Sequence, residues 1–296
     1  MKMKRSFGGK LFACFNLILM ILIVFVTLYP FIHVVALSLS AEKYIFAGQV
    51  NLFPKGLTGY AYEMIFKHPN FLTSYGNTIW YTFLFIIVSL VLTAMTAYPL
   101  TKDEMPGCKF LKKMVMFTMI FSGGMIPNFL LIKMLGLYDS VWSITLPGAV
   151  NAWYVMIIMT YFKSIPVALE EAATLDGLSM TGVFIRIILP LSTPIIATLV
   201  LFFAVAQWNN WFAPLIYFKS NEKYPVILVV RNLLFNAQQV MQDSKQAEEA
   251  LKNQEKNIGE GIKYASIVFT TLPFVLIYPF VQKYFVQGMM IGSVKG

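Results

Sequence analysis

Long apolar runs separated by polar breaks set the pattern of this chain. Six runs hold roughly the 20 mostly apolar residues that a helix needs to cross a bilayer: residues 11–37, 78–100, 114–135, 141–162, 185–205 and 262–281. Most contain a proline, among them Pro30, Pro127, Pro147, Pro190, Pro194 and Pro273. A packed bundle tolerates these because neighbouring groups satisfy the freed backbone positions. The pattern predicts an all-α fold, a polytopic membrane helix bundle of six transmembrane helices. The polar breaks are unequal. Residues 38–75 include Pro54, Gly56, Gly59 and Pro69, which predicts irregular chain with a short helix near residues 61–66. The last break, residues 207–261, is the largest, and its polar part, residues 237–260, reads as a solvated helix or a mobile segment. No internal sequence repeat is evident.

One break has a pattern of its own. Residues 164–194 read SIPVALEEAATLDGLSMTGVFIRIILPLSTP. Ser164 is predicted to cap a helix whose first turn accepts Pro166, and Glu170 and Glu171 fall near the positive end of its dipole. Leu169, Ala172 and Ala173 stand at i, i+3 and i+4, giving an apolar but shallow face that suits docking into another protein's groove. Gly177 is suited to a left-handed helix end and Ser179 to a second N-cap. The expected motif is helix, Asp176-Gly177 turn, helix through Ile185.

The order Glu171-Ala172-Ala173, then Gly177, then Ile187-Ile188-Leu189-Pro190 resembles the EAA loop of ABC importer permeases. With Asp176, Phe184 and Pro194 also in place, it is similar to the carbohydrate importers, the maltose-permease-like inner-membrane subunits. The closing segment, from Pro279-Phe-Val-Gln-Lys-Tyr-Phe-Val-Gln-Gly to Gly292-Ser-Val-Lys-Gly296, resembles that of Gram-positive polysaccharide and oligosaccharide permeases. The resemblance implies a cytoplasmic coupling helix that sits in a cleft of an ATP-hydrolysing subunit, with Leu169, Glu171, Ala172, Ala173, Asp176, Gly177, Leu189 and Pro190 as the ATPase-coupling residues. It also implies the partners: a second homologous permease subunit, an ABC ATPase dimer, an extracellular solute-binding lipoprotein and an oligosaccharide substrate. Residues 1–296 would then form a single permease domain, with a coupling loop at 164–184 and an extracellular loop at 207–261.

Composition agrees with a membrane protein. Hydrophobic residues make up 58% of the chain and charged residues 12%, against roughly half and a quarter in soluble domains. The formal charge of +9 could suit nucleic acid, but the basic residues are scattered among the breaks with no basic stripe. They read instead as topogenic. With the N-terminus inside, Lys2, Lys4, Arg5 and Lys10 share a side with Lys102, Lys109, Lys112 and Lys113, and with Lys163, Arg186, Lys283 and Lys295. Lys43, Lys55, Lys67, Lys133 and Lys263 fall outside with six basic residues between Lys219 and Lys256, of which Lys245, Lys252 and Lys256 lie too far along their loop to weigh much. Both termini are predicted to be cytoplasmic in the cell membrane, as is the break at 164–184. The first run is too long for a signal peptide's core and is expected to stay as an anchor. Cys14 and Cys108 lack metal-ligand spacing and are expected to be unbridged.

The chain carries little chemistry of its own. It has no GxxxxGK[ST] loop, and Gly123-Gly124 follows no strand, so ATP and Mg are expected in the partner subunits, with no cofactor here. No metal cluster or nucleophile–base pattern supports an enzyme. His33 reads as a packed or interfacial residue and His68 as a loop residue. No Asp or Glu falls within the six runs, which argues against the alternative, a self-contained secondary transporter or channel, because ion coupling usually needs intramembrane acids or broken-helix ion sites. For a sugar path the candidates are Asn128, Asn151 beside Trp153 and Tyr154, and Gln207, Trp208, Asn209, Asn210 and Trp211. Aromatic anchoring at the interface and amide contacts between helices are the competing readings.

Overall fold

The structure, a computed structural model, describes residues 7–67, 69–242 and 260–293, and among them there is no strand. The chain divides into two compact units, Met1–Phe71 with Val230–Leu272, and Leu72–Val229 with Pro273–Gly296.

In the first unit the first apolar run forms α1, Phe7–Ser38. The most apolar stretch of α1 is wholly exposed, so its polar groups are satisfied within the helix: the Thr27 hydroxyl donates to the Ile23 and Val24 carbonyls at 2.8 and 3.0 Å. The polar stitching begins where α1 ends. Ser40 Oγ donates to Ala36 O at 2.6 Å and accepts Lys55 N at 3.0 Å, while Thr58 N donates to Leu39 O at 2.9 Å. These bonds hold irregular chain against a short α2, Glu42–Phe46, and a small core of Ala36, Leu37 and Val50 packed by Tyr44, Ile45 and Tyr264. The helix predicted near residues 61–66 is α3, Tyr60–Lys67. His33 is partly buried: its ring stacks on Tyr29 at 5.8 Å, and Nδ1 lies 2.7 Å from Asn51 O. His68 lies outside the described residues.

The second unit contains the bundle. The second run is α4, Phe71–Ala97, closed by a tight turn at Pro99–Thr101. The next three runs are each broken into helix pairs. α5 (Cys108–Ile120) meets α6 (Met125–Met134) at 117°, and α7 (Trp142–Ala149) meets α8 (Ala152–Ser164) at 50°. After α9, Val167–Leu175, come α10, Met180–Val183, a π turn at Phe184–Ile188 and α11, Leu189–Leu191. That assembly meets α12, Thr193–Trp208, at 80°. Among the described residues three helices are long and apolar enough to span alone, and up to six spans result if each bent pair is one.

Runs three and five are therefore not the continuous helices that their apolar content predicts. In run three the break is set by Gly124, whose φ of 85° and ψ of 172° belong to a region that only glycine enters freely. In run five Pro190 and Pro194 supply no N–H, and the Pro190 carbonyl is taken by the Thr193 hydroxyl at 2.6 Å. The main core joins α4, α8, α9, the π turn and α12 through Phe85, Ala94, Ala97, Val155, Ile158, Ala173, Ile188, Leu199 and Phe203. Small residues such as Ala94 and Ala97 let helices approach closely, which matters in lipid because burial among lipid-like side chains adds little drive.

The large break at 207–261 is helical over two stretches of its described residues. It holds α13, Phe212–Tyr217, and α14, Val226–Gln242, whose Val226, Leu228, Val229 and Val230 are buried. Val226 N donates to Thr78 Oγ1 at 2.8 Å at the helix start. Most of the polar segment 237–260 lies outside the described residues. The sixth run is α15, Glu260–Ser293, with Pro273 and Pro279 inside it.

Candidate functional site

The hairpin between α8 and α12 is built by local rules. Ser164 is not its cap: it ends α8, with its hydroxyl donating to Tyr161 O at 2.7 Å, and α9 starts after Pro166, whose carbonyl accepts Leu169 N at 3.1 Å. A proline holds the residue before it extended, so the chain turns before it can begin a helix. At the far end Leu178 N donates to Ala173 O and Gly177 N to Thr174 O, both at 3.0 Å, and Gly177 has a φ of 86°. This is the paired closure that a left-handed glycine gives a helix end. Ser179 Oγ then accepts Gly182 N at 3.3 Å and caps α10 as predicted.

The sequence-predicted face splits in two. Ala173 turns inward, 6% exposed, and joins the core, whereas Leu169, Glu171, Ala172, Asp176 and Gly177 are exposed. Leu189 packs against the same core and Pro190 is exposed. The face left exposed is centred on Leu169 and Ala172, with the acidic Glu171 between them in sequence.

Sequence reasoning missed how this hairpin is held. Glu170 Oε2 accepts the ammonium of Lys102 and, at 3.2 Å, the hydroxyl of Tyr98. Tyr98 stacks on Phe184 at 4.8 Å and meets Phe162 edge-on at 6.2 Å. Beside it, Asp103 takes the ammonium groups of both Lys112 and, at 3.0 Å, Lys163. Hydrogen bonds from these two lysines hold the Asp103 carboxyl down at about 2. The charges of Lys102, Asp103, Lys112, Lys163 and Glu170 are visible in the sequence, but these pairs are too far apart along the chain to be assigned by spacing.

A second feature adjoins the C-terminal part of α12. A cleft of about 440 Å³ is lined by Asn128, Ser143, Asn151, Gln207 and Asn210 among the aromatic rings of Phe85, Tyr154, Phe212 and Tyr217. No charged side chain lines it among the described residues. The structure thus brings Asn128, Gln207 and Asn210 together, with Asn210 Nδ2 donating to Gln207 Oε1 at 3.2 Å. Asn151 does double duty, capping α8 through Oδ1, which accepts Trp153 N at 2.9 Å. The other candidates point elsewhere. Trp208 is buried edge-on against Tyr75 and Phe274 at 5.7 and 5.4 Å, Asn209 bonds back to Val205 O at 2.8 Å, Trp211 packs on Phe212, and Trp153 is 59% exposed.

Near the cleft, Asp139, at a φ of 59°, knots the chain before α7 to the chain after α13. Its carboxylate accepts Lys219 N at 3.0 Å and Lys223 Nζ at 2.7 Å, which lowers its pKa. No cluster of His, Cys, Asp or Glu among the described residues could hold a metal ion, and Cys14 and Cys108 are both free thiols.

The family described as binding-protein-dependent transport system inner membrane component matches residues 108–291. The chain is 40% identical over 294 residues to the protein LplC of Bacillus subtilis (strain 168), covering 99% of this chain and 98% of that one. It is 38% identical to the polygalacturonan/rhamnogalacturonan transport system permease protein YtcP of the same organism, covering 90% of this chain and 92% of YtcP. Among solved structures it is similar to a chain of a bacterial ABC transporter involved in import of the acidic polysaccharide alginate. The TM-score is 0.83 with 31% identity, covering 96% of this chain and all of that one.

Proposed function

Because this chain belongs to the family of binding-protein-dependent transport system inner membrane components, we propose that it is the permease subunit of an ABC importer that carries oligosaccharides across the cell membrane. ATP is hydrolysed in a separate ATPase dimer, and this chain is not an enzyme. A second homologous permease completes the pathway, and an extracellular solute-binding lipoprotein delivers the sugar. The names of YtcP and of the alginate importer support a polysaccharide-derived substrate. In this reading residues 1–296 are one permease domain with both termini cytoplasmic, 164–184 is the cytoplasmic coupling loop and 207–261 is extracellular.

The observation that carries the proposal is the α9–α10 hairpin. It is capped at Gly177 and Ser179, anchored through Ala173, and leaves Leu169, Glu171 and Ala172 exposed. It leads through the π turn and α11 into α12, whose other end lines the amide cleft. ATP-driven closure of the ATPase pair would move the hairpin and, with it, the helices around the cleft. The cleft's amides would exchange water hydrogen bonds for sugar hydroxyls while its rings cover C–H faces. Ala172→Arg places a long cation in a shallow contact and is expected to abolish the ATP hydrolysis stimulated by loaded binding protein, with the bundle still folded. Normal stimulation in the reconstituted mutant sinks the coupling role.

A further inference from the structure

We propose that Glu170 is a positioning residue for coupling: through Lys102 and Tyr98 it fixes α9 to the end of α4, so that displacement of the hairpin passes into α4. This rests on the reading of the hairpin as the ATPase contact and adds the element that receives its movement.

The adjacent glutamates have opposite surroundings. Glu171 is exposed, whereas the Glu170 side chain is 14% exposed and that of Lys102 is 25% exposed. Both donors to Glu170 reach the same oxygen, Oε2. A charge-assisted bond partly withdrawn from water is directional as well as strong, so it resists sliding as well as separation. Without it α9 has little grip, because Ala173 is its one buried side chain and its Cβ is a single methyl. A methyl contact alone lets a short helix pivot.

Tyr98 widens the joint. The residue is 7% exposed, and it touches the π turn through Phe184 and the end of α8 through Phe162 while donating to α9. The Lys102 ammonium also lies 5.1 Å from the Tyr98 ring centroid, so cation, ring and carboxylate stabilise one arrangement. One residue further on, Asp103 clips Lys112 of α5 to Lys163 of α8. Residues 98–103 are therefore a junction at which α4, α5, α8 and α9 are tied by charge and ring contacts, a contiguous network of the kind that carries coupling between sites.

The test uses the permease assembled with its partner permease and ATPase subunits, with nitroxides at Leu175→Cys on α9 and Met95→Cys on α4. Both sites are exposed, at 89% and 58%; Cys14→Ser removes the exposed native thiol, and Cys108 is buried. The distance between labels is expected to be narrowly distributed and unchanged when ATP–vanadate traps the ATPases, because the two helices move together. Glu170→Lys is expected to broaden it and to make it shift on trapping, and Glu170→Gln, a milder change that keeps an acceptor for Tyr98, is expected to broaden it as well. The double exchange Glu170→Lys with Lys102→Glu should return the narrow distribution, a rescue that loss of general stability would not give. Distributions in both single variants that match the parent overturn the proposal, as does a broad one in the double exchange. Contact with the ATPase is read separately, from immobilisation of the Leu175→Cys label when the ATPase subunits are added. Its absence overturns the coupling-helix reading and this proposal with it. Its presence, with a distance indifferent to Glu170, overturns the joint alone.

Discussion

Two single residues carry conditions that can be measured. Gly177 has a φ of 86° and nothing within 4 Å of where a Cβ would stand, so any cost of substitution there is backbone strain and not a clash. The left-handed conformation costs an ordinary L residue about 1–2 kcal/mol, and asparagine less. Gly177→Asn is therefore expected to keep ATPase subunits bound through purification, while Gly177→Val loses a measurable share of them. Equal retention in both would make Gly177 a permissive turn residue. Glu42, half-buried in the first unit, has its pKa raised from 4.5 to about 7, by burial first and by the neighbouring Glu260 second. Between those values the folded chain holds a proton that the unfolded chain has released, so stability falls as pH rises from about 4.5 to about 7. Thermal unfolding in detergent is expected to show a lower midpoint at pH 8 than at pH 5. Glu42→Gln should flatten that dependence, and an unchanged slope would place its origin elsewhere.

At the scale of elements, the decisive features are the breaks. α5 and α6 meet at 117° because the chain between them ends on Gly124 in a conformation that only glycine enters freely. Its neighbour Gly123 lies outside the left-handed region, and neither glycine has any atom within 4 Å of where a Cβ would stand. Gly124→Ala is therefore expected to lower stability by about 1–3 kcal/mol, the usual cost of a strained backbone position, whereas Gly123→Ala should be nearly neutral. Comparing the two unfolding midpoints checks this directly; equal midpoints would mean that packing and not backbone geometry sets the bend. The break before α12 differs in kind. There Pro190 and Pro194 withhold N–H groups, and hydroxyls of Thr193 and Thr198 take up their carbonyls at 2.6 and 3.0 Å.

For the molecule as a whole, the question is which residues of the 207–211 cluster meet a sugar. Gln207 and Asn210 line the cleft, while Trp208 is 7% exposed and packed against Tyr75 and Phe274. Gln207→Ala is expected to reduce oligosaccharide uptake by the assembled importer with little change in thermal stability. Trp208→Ala should instead lower the unfolding midpoint, since emptying a buried aromatic site costs about 3–5 kcal/mol. The reverse pattern in the two variants would move the sugar path to the indole side.

Apolar runs and capping residues are local properties, and they were enough for the sequence alone to determine a helical membrane bundle, a short helix near residues 61–66, and a turn at Gly177 followed by a cap at Ser179. The same locality explains what it missed. A glycine within an apolar run reads as tolerated until neighbouring elements require a reversal there, so the bend at Gly124 was invisible. Apolar periodicity cannot say which side of a short helix faces its own bundle, and it assigned Ala173 to the partner. Tertiary structure alone decided that Glu170 meets Lys102 and Tyr98, 68 and 72 residues away, and that Asn128, Asn151, Gln207 and Asn210 share one cleft. Pairings of that range depend on how bent helices pack, and no spacing along the chain encodes them.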